Sequence, residues 1–377
     1  MKLQVALVDD WELRGDGSGD MEKIQFQSLE KILKVYEKYN LKASINAEIM
    51  QQLAHLEWGV QYPNLMSLAK KWEDVVKGAY LRGHDVQLHV HSQWVGAKYE
   101  NNKWHLPGNW SILTYSKDEV RAMVVKCKNY LHDLLQAQDS SYRCVSFRSG
   151  AWCLAPSDFM CELLAEEGII FDMSIVGGLK YDNAKIKLDY TQCEEAFLPY
   201  YPYMKDARKV SDKVEQLVCI PTFSFKNKPT FVAIKIFSRV MGKILSKGGI
   251  NFSPFKKPSY STIVESLSSN DDYTVWETSM LTTLKNSFKD VTADLSMLSF
   301  PEMKQLIQEA RKKAKAHNVD VMPIVLENHT KDINYLEPIE KFAKYITSVS
   351  DVEVITLKQM AENVKNGIYK IKHVTRA

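Results

Sequence analysis

Two histidines that lie two positions apart, His89 and His91, are the residues of this sequence that most directly suggest chemistry. The segment around them is apolar at alternate positions, which is typical of a half-buried β-strand. Side chains at positions i and i+2 of a strand project from the same face, about 7 Å apart at the backbone. Both imidazoles therefore point into one space, where they could ligate a single divalent ion.

Carboxylates that could join the two histidines follow the first apolar segment. Residues 2–8 are typical of a buried strand, and the strand leads directly into Asp9 and Asp10. Adjacent residues of an extended chain project to opposite sides, so one carboxylate can ligate an ion while the other moves protons. Asp also commonly opens turns after strands, and the pair alone does not exclude that simpler interpretation.

Strand and helix patterns alternate along most of the sequence, which predicts a parallel sheet, either open or rolled into a barrel. Predicted helices cover residues 20–39, 64–81, 116–136, 301–316 and 357–366, and predicted strands include residues 2–8, 42–46, 142–147, 168–171, 320–326 and 352–355. Active sites of such folds assemble at the carboxyl ends of the strands. Those ends carry Asp9-Asp10, His89-His91, Arg148, Asp172, and Glu327 with His329.

We predict a single domain of residues 1–377, because α/β barrels form one unit and tolerate inserted loops. The strand–helix rhythm is lost over residues 190–298, which we interpret as an insertion within that domain. A helix predicted over residues 231–246 has a basic face opposite an apolar stripe. This pattern is typical of a helix that covers the core, and docking on a membrane or a partner is the alternative.

Composition excludes several classes of protein. The 377 residues are 45% hydrophobic and 25% charged, as in globular proteins, and the net charge of +3 with scattered Lys and Arg does not favour nucleic-acid binding. No apolar segment approaches the roughly 20 residues needed to cross a bilayer, and the N-terminus lacks the pattern of a signal peptide. The six cysteines form no Cys-x-x-Cys pair. We therefore expect reduced thiols and a cytoplasmic protein.

Five segments, in order, resemble the motifs of the NodB-type polysaccharide deacetylases of carbohydrate esterase family 4. They are residues 7–10 (LVDD), 83–89 (GHDVQLH), 147–152 (FRSGAW), 171–174 (FDMS) and 326–329 (LENH). The resemblance implies a distorted, incomplete (β/α) barrel. It also implies a metal-dependent hydrolase that removes an N-acyl group, in the first instance acetyl, from a sugar.

The resemblance assigns roles to individual residues of this sequence. It makes Asp9 the catalytic base, Asp10 and His89 metal ligands, Arg148 the residue that orients the base, and His329 the general acid. Residues of the substrate pocket are expected to be Trp152, Trp94, Asp172 and Glu327, with the two indoles as apolar walls against a sugar ring.

The sequence departs from the family at one ligand position. The second motif of the family continues to a further His four positions after the first, where this sequence has Gln93. His91 shares the face of His89, so we predict His91 as the replacement ligand. The amide oxygen of Gln93 is the alternative, although it is a poorer zinc ligand than an imidazole. Zinc is the ion we expect at this site.

The expected substrate is a sugar or a sugar-linked intermediate of surface-polysaccharide biosynthesis, carried by a nucleotide or a lipid. Two other functions stay open at this stage. One is a metal-free glycoside hydrolase that pairs Asp9 or Asp10 with Glu327. The other is a catalytically silent carbohydrate-binding protein that has lost its metal.

Overall fold

The structure is a computed structural model, and it describes residues 1–226, 228, 290–333 and 335–374. The helix predicted over residues 231–246 lies outside the described residues. The strands in chain order are β1 (Lys2–Trp11), β2 (Ser44–Glu48), β3 (Asp85–Val90), β4 (Lys98–Glu100), β5 (Lys103–His105), β6 (Ser146–Ser149), β7 (Phe171–Asp172), β8 (Lys180–Asp182), β9 (Lys187–Asp189), β10 (Pro202–Tyr203), β11 (Asp206–Val210), β12 (Val218–Cys219), β13 (Ser224–Lys226), β14 (Asp290–Thr292), β15 (Val321–Asn328) and β16 (Val352–Val354).

The described helices include several that the sequence patterns predict. They are α1 (Ser28–Lys38), α2 (Ile49–Gly59), α3 (Pro63–Leu81), α4 (Lys117–Gln136), α5 (Met160–Glu166), α6 (Phe300–Ala316), α7 (Glu337–Thr347) and α8 (Leu357–Lys365). A π-helical segment, Glu22–Gln27, precedes α1 and completes the helix predicted from residue 20. Capping boxes fix the starts of α4, α6 and α8, because in each a Ser or Thr exchanges hydrogen bonds with a Glu or Gln three residues later. None of the described helices is both long and apolar enough to cross a membrane.

The main sheet has the strand order β12-β7-β6-β3-β2-β1-β15, and β16 also pairs with β1. All of these pairs are parallel, and the seven strands of the path curl into a half-barrel. Thr222 forms isolated parallel bridges with Val176 and with Val325 of β15, and so links the two margins of the sheet. The predicted incomplete (β/α) barrel is confirmed. Since β12 belongs to this sheet, part of the interval 190–298 contributes to the barrel. That the interval is an insertion, and that residues 1–377 form a single domain, stay predictions.

The two faces of the sheet bury different sets of side chains. On β1, Leu7 and Trp11 pack outward into the large core beneath the helices, whereas Ala6 and Val8 belong to a smaller inner cluster. The inner cluster also contains Val325 of β15 and is completed by side chains of α8. Residues that continue the inward alternation toward the carboxyl ends of the strands therefore point into the mouth of the barrel.

Two sequence predictions differ from the structure in their details. The strand predicted over residues 142–147 begins later, so that Arg148 lies within β6 rather than after a strand. Helix α2 was not predicted, because it follows β2 without a loop and no turn residue separates them. Glu48 ends β2 and also caps α2, since its carboxylate accepts hydrogen bonds from the backbone N–H groups of Met50 and Gln51.

Candidate active site

Charged and polar side chains gather at the mouth of the barrel because four parallel strands present them on their inward faces. Asp10 and Glu12 continue the alternation of β1, and His89 and His91 continue that of β3, where Leu88 and Val90 face the outer core. Register aligns the strands, with His89 beside Arg148 of β6 and Val8 beside Glu327 of β15. The inward set is Asp10, Glu12, His89, His91, Arg148, Glu327 and His329.

Glu12, His89 and His91 form a compact group of three potential metal ligands, all buried. Glu12 Oε2 lies 2.5 Å from His91 Nε2 and 3.4 Å from His89 Nε2, and the two Nε2 atoms are 2.9 Å apart. Three atoms with these separations can all lie about 2.1 Å from one point, which is the usual zinc–ligand distance. The residues therefore fit a divalent ion, and two imidazoles with one carboxylate are a donor set of catalytic zinc sites.

Hydrogen bonds behind the two imidazoles orient them. His89 Nδ1 lies 2.9 Å from the backbone oxygen of Arg148, which can only accept, so in the neutral ring Nδ1 carries the proton and Nε2 has the lone pair. His91 Nδ1 lies within 3.0 Å of the side-chain amide of Gln93. Gln93 thus supports His91 from behind. The position at which the family has a further ligand here orients His91, one of the three potential ligands.

Asp10 faces the same mouth but is bound to Arg148. Both carboxylate oxygens of Asp10 lie 2.9 Å from Arg148 Nη1, and the Asn46 side chain donates a further hydrogen bond of 2.8 Å. Burial alone raises the pKa of Asp10, but the positive charges of Arg148 and His329 outweigh it and hold the pKa below its ordinary value. Asp10 is therefore ionised at neutral pH.

Arg148 also reaches the opposite side of the mouth. Its Nη1 lies 3.3 Å from Glu327 Oε2, and its Nη2 donates to the Thr222 hydroxyl at 2.8 Å. Burial raises the pKa of Glu327 above its ordinary value despite the nearby guanidinium. The indole N–H of Trp152 donates to the same Glu327 oxygen at 3.1 Å.

His329 is held by a carboxylate that the sequence analysis did not identify. Its Nδ1 lies 2.9 Å from Asp294 Oδ2, and its Nε2 lies 3.7 Å from Asp10 Oδ2. Burial lowers the pKa of His329, but Asp294 and Asp10 outweigh this effect and raise the pKa to about 10. Asp294, Glu327 and His329 also form a second group with metal-ligand spacing, in which Glu327 already binds Arg148.

Asp9 lies on the other face of β1, toward the outer core. Its Oδ2 accepts a hydrogen bond from Asn328 of β15, and its Oδ1 accepts none from any described residue. Burial raises the pKa of Asp9 to about 7. The structure therefore does not bring the Asp9 carboxylate into the group at the mouth, although its neighbour Asp10 belongs to that group.

Three predicted substrate residues occupy different places. Trp152 reaches the site, with its ring 6.1 Å from the His329 ring, and its backbone has the unusual φ of 55° for a bulky residue. Asp172 is fully buried and hydrogen-bonded to Ser174. Trp94 packs in the outer core against Trp104.

Two residues of the candidate site, Glu12 and Asp294, are not among those that the sequence predicts, for different reasons. Glu12 had a usable signal, because it lies two positions after Asp10 and shares its face if the strand continues. Asp294 had none, since it lies in the interval where the pattern of strands is lost. It reaches His329 through a backbone bridge between Asp294 and Glu327.

Neither a protein-family model nor a curated protein sequence matches the chain. Among solved structures, the protein is similar to one assigned as a polysaccharide deacetylase from Mycobacterium smegmatis, with 12% sequence identity, coverage of 100% of this chain and 94% of that chain, and a TM-score of 0.51. A protein assigned as a polysaccharide deacetylase from Pseudomonas aeruginosa PAO1 (12% identity, 98% and 93% coverage, TM-score 0.44) and Puue allantoinase (12% identity, 98% and 92% coverage, TM-score 0.43) are also similar. The similarity with the TM-score of 0.51 confirms the resemblance to the polysaccharide deacetylase fold that the motifs first suggested.

Proposed function

We propose that this protein is a metal-dependent hydrolase that removes an N-acyl group, in the first instance acetyl, from a sugar or a sugar-linked intermediate of surface-polysaccharide biosynthesis. The observation that carries the proposal is the convergence of Glu12 Oε2 with the Nε2 atoms of His89 and His91, separated by 2.5–3.4 Å. The fold supports it, because barrels of this type assemble their active sites at this end of the strands.

The three converging residues would hold the ion, and zinc is the ion their donor set favours. A zinc ion bound there would act as a Lewis acid on the scissile carbonyl and would lower the pKa of water. This proposal takes Glu12 rather than Asp10 as the carboxylate ligand, because Glu12 lies beside both imidazoles whereas both oxygens of Asp10 are engaged by Arg148.

Asp10 is the proposed catalytic base. It faces the mouth, is ionised at neutral pH, and is held in place by Arg148 and Asn46 so that it can accept a proton from the attacking water. The motif resemblance gives this role to Asp9. We prefer Asp10 because the residue expected to orient the base, Arg148, binds Asp10.

His329 is the proposed general acid. Asp294 binds its Nδ1 and keeps the ring protonated, so that Nε2 can donate a proton to the departing amine nitrogen. An amine leaves an amide readily only when it is protonated, and a histidine with a raised pKa is charged throughout the neutral range. Trp152 lies beside His329 and would offer an apolar face to the sugar ring.

Metal binding and deacetylation can be tested together on Glu12. The protein is stripped with a chelator and reloaded with Zn²⁺, its metal content is measured by mass spectrometry, and release of acetate from N-acetylated sugars is followed. Glu12→Ala should lose both bound zinc and activity. Glu340→Ala removes an exposed carboxylate paired with Lys38 and should lose neither. Wild-type protein without stoichiometric metal, or a fully active Glu12→Ala, would refute the proposal.

The cellular context is a further part of the proposal. All six cysteines are unpaired thiols in the structure, which supports a reducing compartment such as the cytoplasm. A cytoplasmic deacetylase would act on a nucleotide- or lipid-linked precursor, so a panel of free, nucleotide-linked and lipid-linked N-acetyl sugars tests this part directly.

A further inference from the structure

Lys331 lies two residues after His329, beyond the end of β15, in a short 3-10 turn over Thr330–Asp332. Its ammonium group forms an ion pair with Glu12 Oε1. Both partners are largely buried, with 13% of the Lys331 side chain and 9% of the Glu12 side chain exposed. An ion pair in this position lies directly behind one of the three potential metal ligands.

The two oxygens of Glu12 are thereby given different partners. Oε1 is held by Lys331, whereas Oε2 lies 2.5 Å from His91 Nε2 and 3.4 Å from His89 Nε2. A carboxylate whose second oxygen is engaged by an ammonium group can offer a cation only one oxygen. A carboxylate without such a partner is free to turn and offer both.

We propose that Lys331 is a positioning residue that restricts Glu12 to a single ligand oxygen. The inference rests on the proposed metal site and adds to it a reason why that site keeps a coordination position open. Catalytic zinc sites have three protein ligands and an open position for water or substrate, and a second carboxylate oxygen would compete for that position. Loss of the Lys331 charge also leaves Glu12 Oε1 buried without its cation, which favours rotation toward the metal.

The test compares Lys331→Met with a matched control. Lys128 forms an ion pair with Glu167 between α4 and α5, with 15% and 14% of the side chains exposed, and so resembles the Lys331–Glu12 pair in burial but lies outside the site. Both lysines are changed to Met, and Lys331→Arg serves as the variant that keeps the positive charge at position 331. Each purified full-length protein is stripped of metal and titrated with Co²⁺, whose visible absorption weakens as its coordination number rises.

Lys331→Met should bind Co²⁺ with a weaker, shifted visible spectrum and bind Zn²⁺ with unchanged or tighter affinity, while kcat falls roughly 10- to 100-fold, as for other residues that orient metal ligands. Lys331→Arg should restore the wild-type spectrum, and Lys128→Met should keep it. A residue that merely supports the fold would lower the melting temperature without changing the Co²⁺ spectrum.

Two outcomes are distinguishable. If wild-type protein binds Co²⁺ and Lys331→Met gives the same spectrum, the inference about Lys331 is wrong and the proposed metal site stands. If wild-type protein binds neither Co²⁺ nor Zn²⁺ stoichiometrically, the proposed function fails and this inference fails with it. Should Lys331→Met be unfolded by circular dichroism, Lys331→Gln, which also removes the charge, is read by the same criteria.

Discussion

The identity of the catalytic base can be tested by changing each of the two adjacent aspartates to asparagine. General-base catalysis contributes typically about 10²- to 10⁴-fold, so Asp10→Asn should lower kcat by that factor, equivalent to about 3–5 kcal/mol in the activation barrier. Asn keeps an acceptor oxygen for Arg148 but removes the charge of a buried pair. Since loss of one partner of such a pair costs about 3–5 kcal/mol, the free energy of unfolding should fall by up to that amount.

Asp9→Asn should behave differently because Asp9 lies on the opposite face of β1. Its hydrogen bond from Asn328 can be accepted by an asparagine oxygen, and kcat should fall less than about 10-fold, below the range of a lost base. A carboxyl whose pKa burial raises to about 7 destabilises the folded state once pH exceeds its unfolded value near 4. The free energy of unfolding of Asp9→Asn should therefore be at least that of wild type at pH 8. At pH 4 the wild-type carboxyl no longer carries this penalty, so the variant should compare less well with wild type.

The assay measures acetate release under saturating substrate, with zinc content and denaturant unfolding recorded for each variant. Both variants should retain metal, because neither residue belongs to the group of Glu12, His89 and His91. Loss of turnover in Asp9→Asn together with an active Asp10→Asn would show that Asp10 is not the base. That result would return the base to the position that the motif resemblance gives it. Loss of zinc in Asp10→Asn would instead make Asp10 a metal ligand, the role that the motif resemblance gives it.

Two further changes test the residues behind the acid and behind one ligand. Asp294→Asn should lower the pKa of His329 from about 10, so the alkaline limb of the kcat–pH profile should move to lower pH. An unchanged alkaline limb would mean that His329 is not the general acid. The stability that Asp294 gives to protonated His329 is present below the unfolded histidine pKa near 6.5 and is lost as pH rises through about 10, so the variant should be less stable at pH 6 and close to wild type above pH 10. Gln93→Ala should weaken zinc binding roughly 10- to 100-fold by releasing His91 Nδ1, measured by competition with a chromophoric chelator; equal affinity would show that Gln93 does not support the ligand.

Local patterns were sufficient to predict a parallel sheet with helices, because each strand and helix carries its own periodicity, whereas the incomplete barrel was predicted from the motif resemblance. The alternation through His89 and His91 placed both on one face of β3, and the repeated strand–helix units required a parallel sheet. Serine caps such as Ser116 marked helix starts that the structure confirms. These features depend on residues close together in sequence, where the geometry of a strand or a helix leaves little freedom.

The roles of the carboxylates depended on the tertiary structure. Alternation places Asp9 and Asp10 on opposite faces, but only the packing of the sheet decides which face is inside the barrel. It also carries β1 on to Trp11, so that Glu12 follows Asp10 on the inward side. A strand that ended at residue 8, as the sequence suggests, would leave the direction of Glu12 undetermined.

The sequence by itself determined that the imidazoles of His89 and His91, an arginine and the histidine at position 329 would meet at one edge of a parallel sheet. Tertiary structure alone decided which carboxylate accompanies the arginine and which accompanies His329: Asp10 binds Arg148, and Asp294 binds His329. The physical reason is distance along the chain, since 138 residues separate the first pair and 35 the second. No local rule of spacing reaches that far, and the partners are selected by strand register, burial and the need to compensate charge away from water.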